Sequence, residues 1–255
     1  MQDFFGRAQA APERVVVFMA DQGASYTAGA LAQMARQMAQ WLAAQGLQTG
    51  ERFAVLLENR VEILALVLAA RQAGLYAAVL STHLTADEVA YIVGDSGARL
   101  VVASGKTLPQ LQGIGLPCWS VDEARPQAPS LHAALAALQG PPVDFADRPL
   151  GRDLLYSSGT TGRPKGVLKP LWPAGLRGQA DPEAVSTARL LGMGEDTVYL
   201  SPAPLYHAAP LRYTLRALEL GGQAVIMERF DAENALALIE RYRVTHSQWV
   251  PTMFG

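Results

Sequence analysis

The sequence has a single cysteine, Cys118, among its 255 residues. A disulfide within the chain and a metal cluster held by several thiolates are therefore excluded. Cys118 lies in the largely apolar run 116–119, where we expect a strand and a small, buried side chain. So little cysteine is typical of proteins in reducing compartments, which predicts a cytoplasmic protein.

The sequence also lacks an excess of positive charge and a long uninterrupted apolar run. It has 21 Lys and Arg against 23 Asp and Glu, a formal net charge of −2. This balance argues against a nucleic-acid partner, since such binders usually carry a basic surplus. No signal-peptide-like run precedes Arg14, and the longest apolar stretch, 61–80, contains Glu62, Arg71 and Gly74. We therefore expect no transmembrane segment.

Apolar runs of strand length alternate with amphipathic runs of helix length. The predicted strands are 52–57, 75–80, 100–103, 197–200, 223–227 and 244–250. The predicted helices are 25–46, 61–73, 86–94, 209–220 and 232–242. This alternation predicts an α/β fold in which helices are layered on largely parallel sheets. Prolines at 126, 129, 141, 142 and 149 surround a short predicted helix at 131–138. We interpret 125–150 as a connector and a soft boundary between two subdomains.

The most informative segment of the sequence runs from 156 to 167 and reads YSSGTTGRPKGV. Its glycines let the backbone approach a ligand, while its hydroxyls, free N–H groups and cations can contact phosphate oxygens. The residues on either side form two extended runs, which predicts a phosphate-binding loop between two strands. The candidate phosphate ligands are Ser157, Ser158, Gly159, Thr160, Thr161, Gly162, Arg163 and Lys165.

Two better-known phosphate motifs do not match this segment. A Walker A loop needs a second glycine five residues after the first, followed by Lys and Ser or Thr. Counted from Gly159 that position is Pro164, and counted from Gly162 it is Val167. The dinucleotide-binding fingerprint requires a different glycine spacing and a following helix.

The whole twelve-residue run resembles, without a gap, the phosphate loop of the adenylate-forming (AMP-binding) enzymes. This superfamily includes acyl-CoA synthetases, luciferases and the adenylation domains of peptide synthetases. A second segment, 202–207 or PAPLYH, is similar to the family's acyl-binding region. The similarity runs from about residue 25 to residue 254. Within the superfamily, this chain most resembles the acyl-CoA synthetase or fatty-acid–CoA ligase type.

The resemblance implies a reaction, its cofactors and its site residues. A carboxylic acid is activated by ATP and Mg²⁺ as an acyl-adenylate and is then transferred to coenzyme A. Lys165 and Thr160 are implied as catalytic residues, and Thr161 as a contact of Mg²⁺ through ATP. His207 and Tyr206 are implied at the substrate. From the residues alone, a lone histidine such as His207 is more often a structural hydrogen-bonding group than a catalyst, and Tyr206 is equally a core side chain.

Several family features have no counterpart in this sequence. The glutamate that helps to hold magnesium, the aspartate that holds the ribose, the hinge and the C-terminal lysine cannot be matched. The resemblance therefore implies the N-terminal part of the large domain without the C-terminal lid domain, and we expect the isolated chain to be inactive. Pro210 stands where the family often has glycine, and 168–171 replaces a Ser/Thr-His segment. Both departures concern the subfamily.

Three functions remain open at this stage. An acyl-CoA synthetase acting on a fatty acid is favoured. The aspartate that amino-acid-activating relatives use for the substrate amine is missing, which favours a simple carboxylic acid, and the Tyr206–His207 segment disfavours an aryl- or amino-acid-activating relative. The alternatives are an aryl- or amino-acid-adenylating relative, and an inert nucleotide-binding fragment or interaction module. Chain length of the acid and oligomeric state, a homodimer included, are also left open.

Overall fold

The structure of this protein is a computed structural model that describes residues 1–157 and 163–254. The chain forms two compact units. Unit 1 comprises Met1–Gln33, Asn59–Leu64 and Leu176–Gly255, and unit 2 comprises Met34–Glu58 and Ala65–Gly175. The proline-rich stretch 125–150 lies inside unit 2, so the chain passes between the units at other positions.

Within the described residues there are eleven strands and eight α-helices. The strands are β1 Val15–Met19, β2 Ala24–Thr27, β3 Arg52–Leu56, β4 Tyr76–Val79, β5 Ala98–Ala103, β6 Cys118–Ser120, β7 Arg152–Ser157, β8 Lys165–Val167, β9 Val198–Ser201, β10 Gln223–Ile226 and β11 His246–Ser247. The helices are α1 Phe4–Ala10, α2 Ala28–Ala44, α3 Val61–Ala73, α4 Ala86–Ser96, α5 Leu131–Ala136, α6 Pro182–Leu191, α7 Ala208–Glu219 and α8 Ala232–Tyr242. Short 3-10 helices occupy Leu108–Leu111, Ala174–Leu176 and Pro251–Met253.

Unit 1 is built on a five-stranded sheet in the order β11-β9-β10-β1-β2. Its strands are parallel except β2, which runs antiparallel to β1 at one edge. Successive residues of β9 face opposite sides: Tyr199 packs against Ala217 of α7, and Leu200 packs with Leu238 of α8. Helices therefore cover both faces, as the apolar strands predicted.

Unit 2 is built on a six-stranded sheet in the order β6-β5-β3-β4-β7-β8. All neighbouring strands are parallel except β7 and β8. The central strand β3 is fully buried from Phe53 to Leu56, which explains why its sequence is a continuous apolar run. The predicted α/β fold with largely parallel sheets is confirmed in both units.

The start and stop signals of α4 show how local sequence sets a helix. Thr85 and Glu88 form the predicted capping box, with the Glu88 N–H donating to Thr85 Oγ1 at 3.3 Å and the Thr85 N–H to Glu88 Oε2 at 2.8 Å. The predicted end near Gly94 is wrong. The helix continues to Ser96, and Gly97 ends it with a left-handed φ of 65°.

Three further predictions differ from the structure in extent. The helix predicted from residue 25 begins at Ala28, because Ala24–Thr27 pairs with β1 as an edge strand. The last predicted strand, 244–250, is reduced to His246–Ser247. Cys118 lies in a strand as predicted but is only half-buried, and burial raises the pKa of its thiol.

No helix among the described residues combines the length and apolar character needed to cross a membrane.

Candidate functional site

The predicted phosphate loop connects β7 and β8, which form an antiparallel hairpin in unit 2. Ser157 and Lys165 are Cα partners in the last pair of the ladder, so the loop leaves and returns at adjacent positions. Strand β7 is parallel to β4, and the hairpin therefore projects from the carboxyl edge of the parallel strands. Ligands of open α/β sheets bind outside that edge. The two strands predicted on either side of the loop are confirmed.

Five of the predicted phosphate ligands, Ser158, Gly159, Thr160, Thr161 and Gly162, lie outside the described residues. Their roles stay predictions. The structure does place the two predicted cations: Arg163 and Lys165 are both exposed on the returning side of the hairpin. An exposed guanidinium and an exposed ammonium at the root of a hydroxyl-rich loop fit a polyphosphate ligand.

Tyr156, near the end of β7, contacts both α4 and the paired strand β8. Its hydroxyl donates to Asp95 Oδ2 of α4 at 2.7 Å. Its ring lies against Gly166 on the paired strand, where an added Cβ would come within 2.9 Å of the ring. A larger residue at position 166 would therefore displace the Tyr156 ring, and nothing in the local sequence indicates this packing.

Helix α4 contacts the hairpin at a second point. The guanidinium of Arg163 lies 4.9 Å from the centre of the Tyr91 ring, within cation–π range. Tyr91 and Asp95 are four residues apart on α4 and therefore lie on one face of that helix. One face of α4 therefore contacts β7 through Tyr156 and the segment just before β8 through Arg163. Sequence reasoning missed Tyr91 and Asp95 because their partners are distant in the chain.

The environment of Tyr156 predicts a pH effect on stability. Burial, and then the hydrogen bond to Asp95, raise the pKa of the Tyr156 phenol above its usual value. Above pH ~10 the unfolded chain loses this proton before the folded chain does, so the free energy of unfolding falls as pH rises. We expect Tyr156→Phe to make this decline shallower in urea unfolding measured between about pH 8 and 12.

Tyr199 provides the internal comparison for that measurement. Burial, and to a smaller extent Tyr213, raise the pKa of the Tyr199 phenol, so part of the alkaline decline must persist in the Tyr156→Phe variant. An alkaline decline identical in the variant and the parent protein would contradict the assignment to Tyr156.

The second predicted segment, 202–207, follows β9 at the carboxyl edge of the unit 1 sheet. Ala203 and Leu205 are buried, Tyr206 is half-buried and His207 is exposed. The rings of Tyr206 and His207 lie with their centroids 4.7 Å apart and their planes at 59°. The structure thus brings the two predicted substrate residues together. The phosphate-loop hairpin belongs to unit 2.

His207 occupies the N-cap position of α7 without using its side chain as a cap. Its backbone is extended, and its carbonyl oxygen accepts from the Leu211 N–H at 3.2 Å. Pro210, which replaces the family's usual glycine, lies in the first helical turn, where a missing N–H is tolerated. The helix therefore begins normally despite this departure and presents an imidazole at its N-terminus.

Among residues 1–157 and 163–254, no group of three or more His, Cys, Asp and Glu side chains is arranged to hold a metal ion. The described part of the chain does not fit a magnesium site made by protein groups alone. Mg²⁺ is accordingly assigned to none of these residues, and Thr161 lies outside them.

Comparisons with known proteins give the following relationships. The profile of the family described as AMP-binding enzyme matches residues 4–255. The 2-succinylbenzoate–CoA ligase of Bacillus subtilis (strain 168) is 30% identical over 249 residues, which are 98% of this chain and 48% of the relative. The long-chain-fatty-acid–CoA ligase FadD13 of Mycobacterium tuberculosis (strain ATCC 25618 / H37Rv) is 29% identical over 229 residues, 87% of this chain and 44% of the relative.

A solved structure gives the same relationship in three dimensions. O-succinylbenzoate Coenzyme A Synthetase (MenE) from Bacillus subtilis, in complex with ATP and magnesium ion, matches with a TM-score of 0.77 and 25% identity. The match covers 100% of this chain and 65% of that chain. The chain spans about half the length of the curated relatives it matches.

Proposed function

Because this chain belongs to the AMP-binding enzyme family, as its resemblance predicted, we propose that it is part of an ATP-dependent acid–CoA ligase. The observation that carries the proposal is the β7–β8 hairpin. The hairpin projects from the carboxyl edge of the parallel strands, and the sequence between its strands is rich in hydroxyl residues and glycine. Two exposed cations, Arg163 and Lys165, follow that sequence. Those features suit the polyphosphate of ATP.

The proposed reaction has two steps. A carboxylate oxygen of the acid attacks the α-phosphorus of ATP, and the bond to the bridging oxygen breaks, so that pyrophosphate leaves with the electron pair. The coenzyme A thiol then loses its proton to solvent, and its sulfur attacks the acyl carbon, so that the acyl–oxygen bond breaks and AMP leaves with the electron pair. The first step needs placement and charge neutralisation more than covalent help from the protein.

In this proposal, the hairpin binds pyrophosphate, the leaving group of the first step. Lys165 neutralises the charge that develops on pyrophosphate, because a mobile ammonium can follow the phosphate as its bond lengthens. Arg163 supports the β- and γ-phosphates with a planar pair of donors. The hydroxyls of Ser157, Ser158, Thr160 and Thr161 donate to phosphate oxygens, with Thr160 and Thr161 as the principal contacts.

We assign the acid to the segment that ends in Tyr206 and His207. The imidazole, held against the Tyr206 ring, can donate to the substrate carboxylate or wall the pocket. The missing amine-binding aspartate argues against an amino acid as the substrate. It does not distinguish an alkyl acid from an aryl acid. An aryl acid is the second candidate, favoured by the similarity to a ligase named for 2-succinylbenzoate.

Product analysis tests this proposal. The protein encoded by the natural reading frame that contains residues 1–255 is incubated with ATP, Mg²⁺, coenzyme A and one acid at a time. The panel contains alkyl acids of graded length, aryl acids with and without a second carboxylate, and amino acids. We expect AMP and an acyl-CoA in equal amounts with one alkyl or aryl class. Formation of ADP and phosphate, or of no thioester with any acid, would contradict it.

A cytoplasmic setting is part of the same proposal. It rests on the single cysteine and on the use of ATP and coenzyme A as soluble substrates.

A further inference from the structure

Asn59 binds three backbone groups with its side chain. Nδ2 donates to the carbonyl oxygens of Met227 at 2.7 Å and Ala203 at 3.2 Å, and Oδ1 accepts from the Leu205 N–H at 2.7 Å. The residue is 4% exposed, so these bonds are shielded from water. Both Nδ2 hydrogens are therefore used as donors and Oδ1 as an acceptor, so each polar atom of the asparagine side chain is bonded.

These bonds connect the exits of two neighbouring strands of the unit 1 sheet. Ala203 and Leu205 follow β9, and Met227 follows β10. Pro202 and Pro204 have no N–H, so the chain after β9 cannot continue as a regular hydrogen-bonded strand. The segment is instead held by the Asn59 side chain, which bonds to the backbone on both sides of Pro204, at Ala203 and at Leu205.

The held segment ends at the proposed substrate residues. After Leu205 the chain turns, with the His207 N–H donating to the Pro204 carbonyl oxygen at 3.1 Å, and α7 begins at Ala208. The backbone position of His207 is thus fixed within two residues of an Asn59 bond. The side chain of His207 is exposed and Asn59 is not, so Asn59 acts on the site through the backbone.

We propose that Asn59 is a positioning residue that sets the place of Tyr206 and His207 for binding of the carboxylic acid. This inference rests on the proposed function of those two residues. Asparagine is required because two of its partners are acceptors and one is a donor. In Asn59→Asp a carboxylate oxygen would face two carbonyl oxygens, and in Asn59→Ala three buried backbone groups would lose their partner.

The kinetic test uses pyrophosphate exchange into ATP with the natural reading frame and the acid identified for it. In Asn59→Asp and Asn59→Ala we expect the KM for the acid to rise between about ten- and one-hundred-fold, the penalty of a displaced positioning group. The KM for ATP should stay within about two-fold, because the assigned phosphate contacts lie on the hairpin and not on this segment.

Glu219→Gln is the matched control. Glu219 is also buried, and its carboxylate accepts from the N–H groups of Phe4 and Asp181, at the end of α7 opposite His207. This variant loses stability without touching 203–205, and its KM for the acid should not change. An Asn59 variant that is destabilised like Glu219→Gln and keeps the KM for the acid would overturn the proposal.

A second readout does not depend on turnover. In an NMR spectrum of the same protein, the His207 ring signals are assigned as those that disappear in a His207→Gln variant. The Tyr206 ring, 4.7 Å away, shifts those signals, and we expect the shift to be lost in the Asn59 variants and kept in Glu219→Gln. Asn59→Ser is the milder variant if Asn59→Asp does not fold.

The two failures are distinguishable. A folded parent protein without exchange would contradict the proposed function, while the NMR shift would still decide whether Asn59 positions the two rings. An active parent whose Asn59 variants keep both the KM for the acid and the His207 shift would contradict the positioning role alone. Loss of folding in every Asn59 variant would also overturn it, by assigning the residue to the fold.

Discussion

Replacing Lys165 with alanine is expected to slow adenylate formation by about 100- to 1,000-fold, the usual effect of removing one preorganised charge or donor from a transition state. Lys165 is exposed at the first residue of β8, directly across the ladder from Ser157. Its ammonium is therefore held at the root of the loop that we assign to pyrophosphate. The rate is measured as acid-dependent pyrophosphate exchange at saturating ATP and acid.

Two further variants make the Lys165 result specific. Lys169→Ala removes the same charge four residues later, beyond the end of β8, and should leave the exchange rate within about two-fold. Lys165→Arg keeps the charge on a bulkier, planar group and should recover only part of the rate. Equal rates in Lys165→Ala and the parent protein would remove Lys165 from the mechanism.

Gly151→Ala is expected to cause the largest loss of stability, about 3 kcal/mol or more in free energy of unfolding. Gly151 immediately precedes β7, and a Cβ there would overlap the carbonyl oxygens of Ala70 and Leu75. Those atoms belong to the backbone and are hydrogen-bonded: the Leu75 N–H donates to the Ala70 oxygen, and the Arg152 N–H to the Leu75 oxygen, both at 3.0 Å. They cannot move aside as a flexible side chain would.

Gly94→Ala is the matched control for this substitution. Gly94 lies inside α4 in the same unit, and nothing stands within 4 Å of the position of an added Cβ. Alanine there should stabilise the protein by up to ~1 kcal/mol, because glycine is a poor helix former. Urea unfolding of both variants gives the comparison, and a Gly151→Ala protein as stable as the parent would refute the close-packing argument.

The elements that sequence predicted well are those whose signals are local. The start of α4 follows from the Thr85–Glu88 capping box, and α8 from Asp231, whose side chain accepts from the Asn234 N–H at 2.8 Å. Helix α3 has the predicted bounds because Gly74, with a φ of 72°, ends it. In each case a few neighbouring residues determine the outcome, so their order in the chain is sufficient.

The elements that were mispredicted depend on distant partners. The sequence predicts a helix from residue 25, but Ala24–Thr27 is a strand because β1 lies beside it. The same applies to 244–250, of which only His246–Ser247 finds a partner in β9. Tertiary pairing overrides local propensity at both positions.

The candidate site shows the same division. The residues that we assign to the substrates are consecutive in the sequence. The strands around the phosphate loop and the adjacent pair Tyr206 and His207 could therefore be predicted. Its supports could not, because Asp95 and Asn59 reach their partners over 61 and at least 144 residues of sequence. Nothing in a run such as Glu58-Asn59 shows which distant carbonyls the amide will bind.

The most direct test of the central claim is carboxylate-dependent exchange of pyrophosphate into ATP, measured without coenzyme A. Residues 1–255 are assayed beside the protein encoded by the natural reading frame that contains them, with the panel of alkyl, aryl and amino acids. We predict exchange that requires the acid and occurs in the protein of the natural reading frame, which would assign this chain to an acyl-adenylating enzyme. If that protein is folded and exchanges no pyrophosphate with any acid, the enzymatic account is contradicted and an inert nucleotide-binding module is favoured.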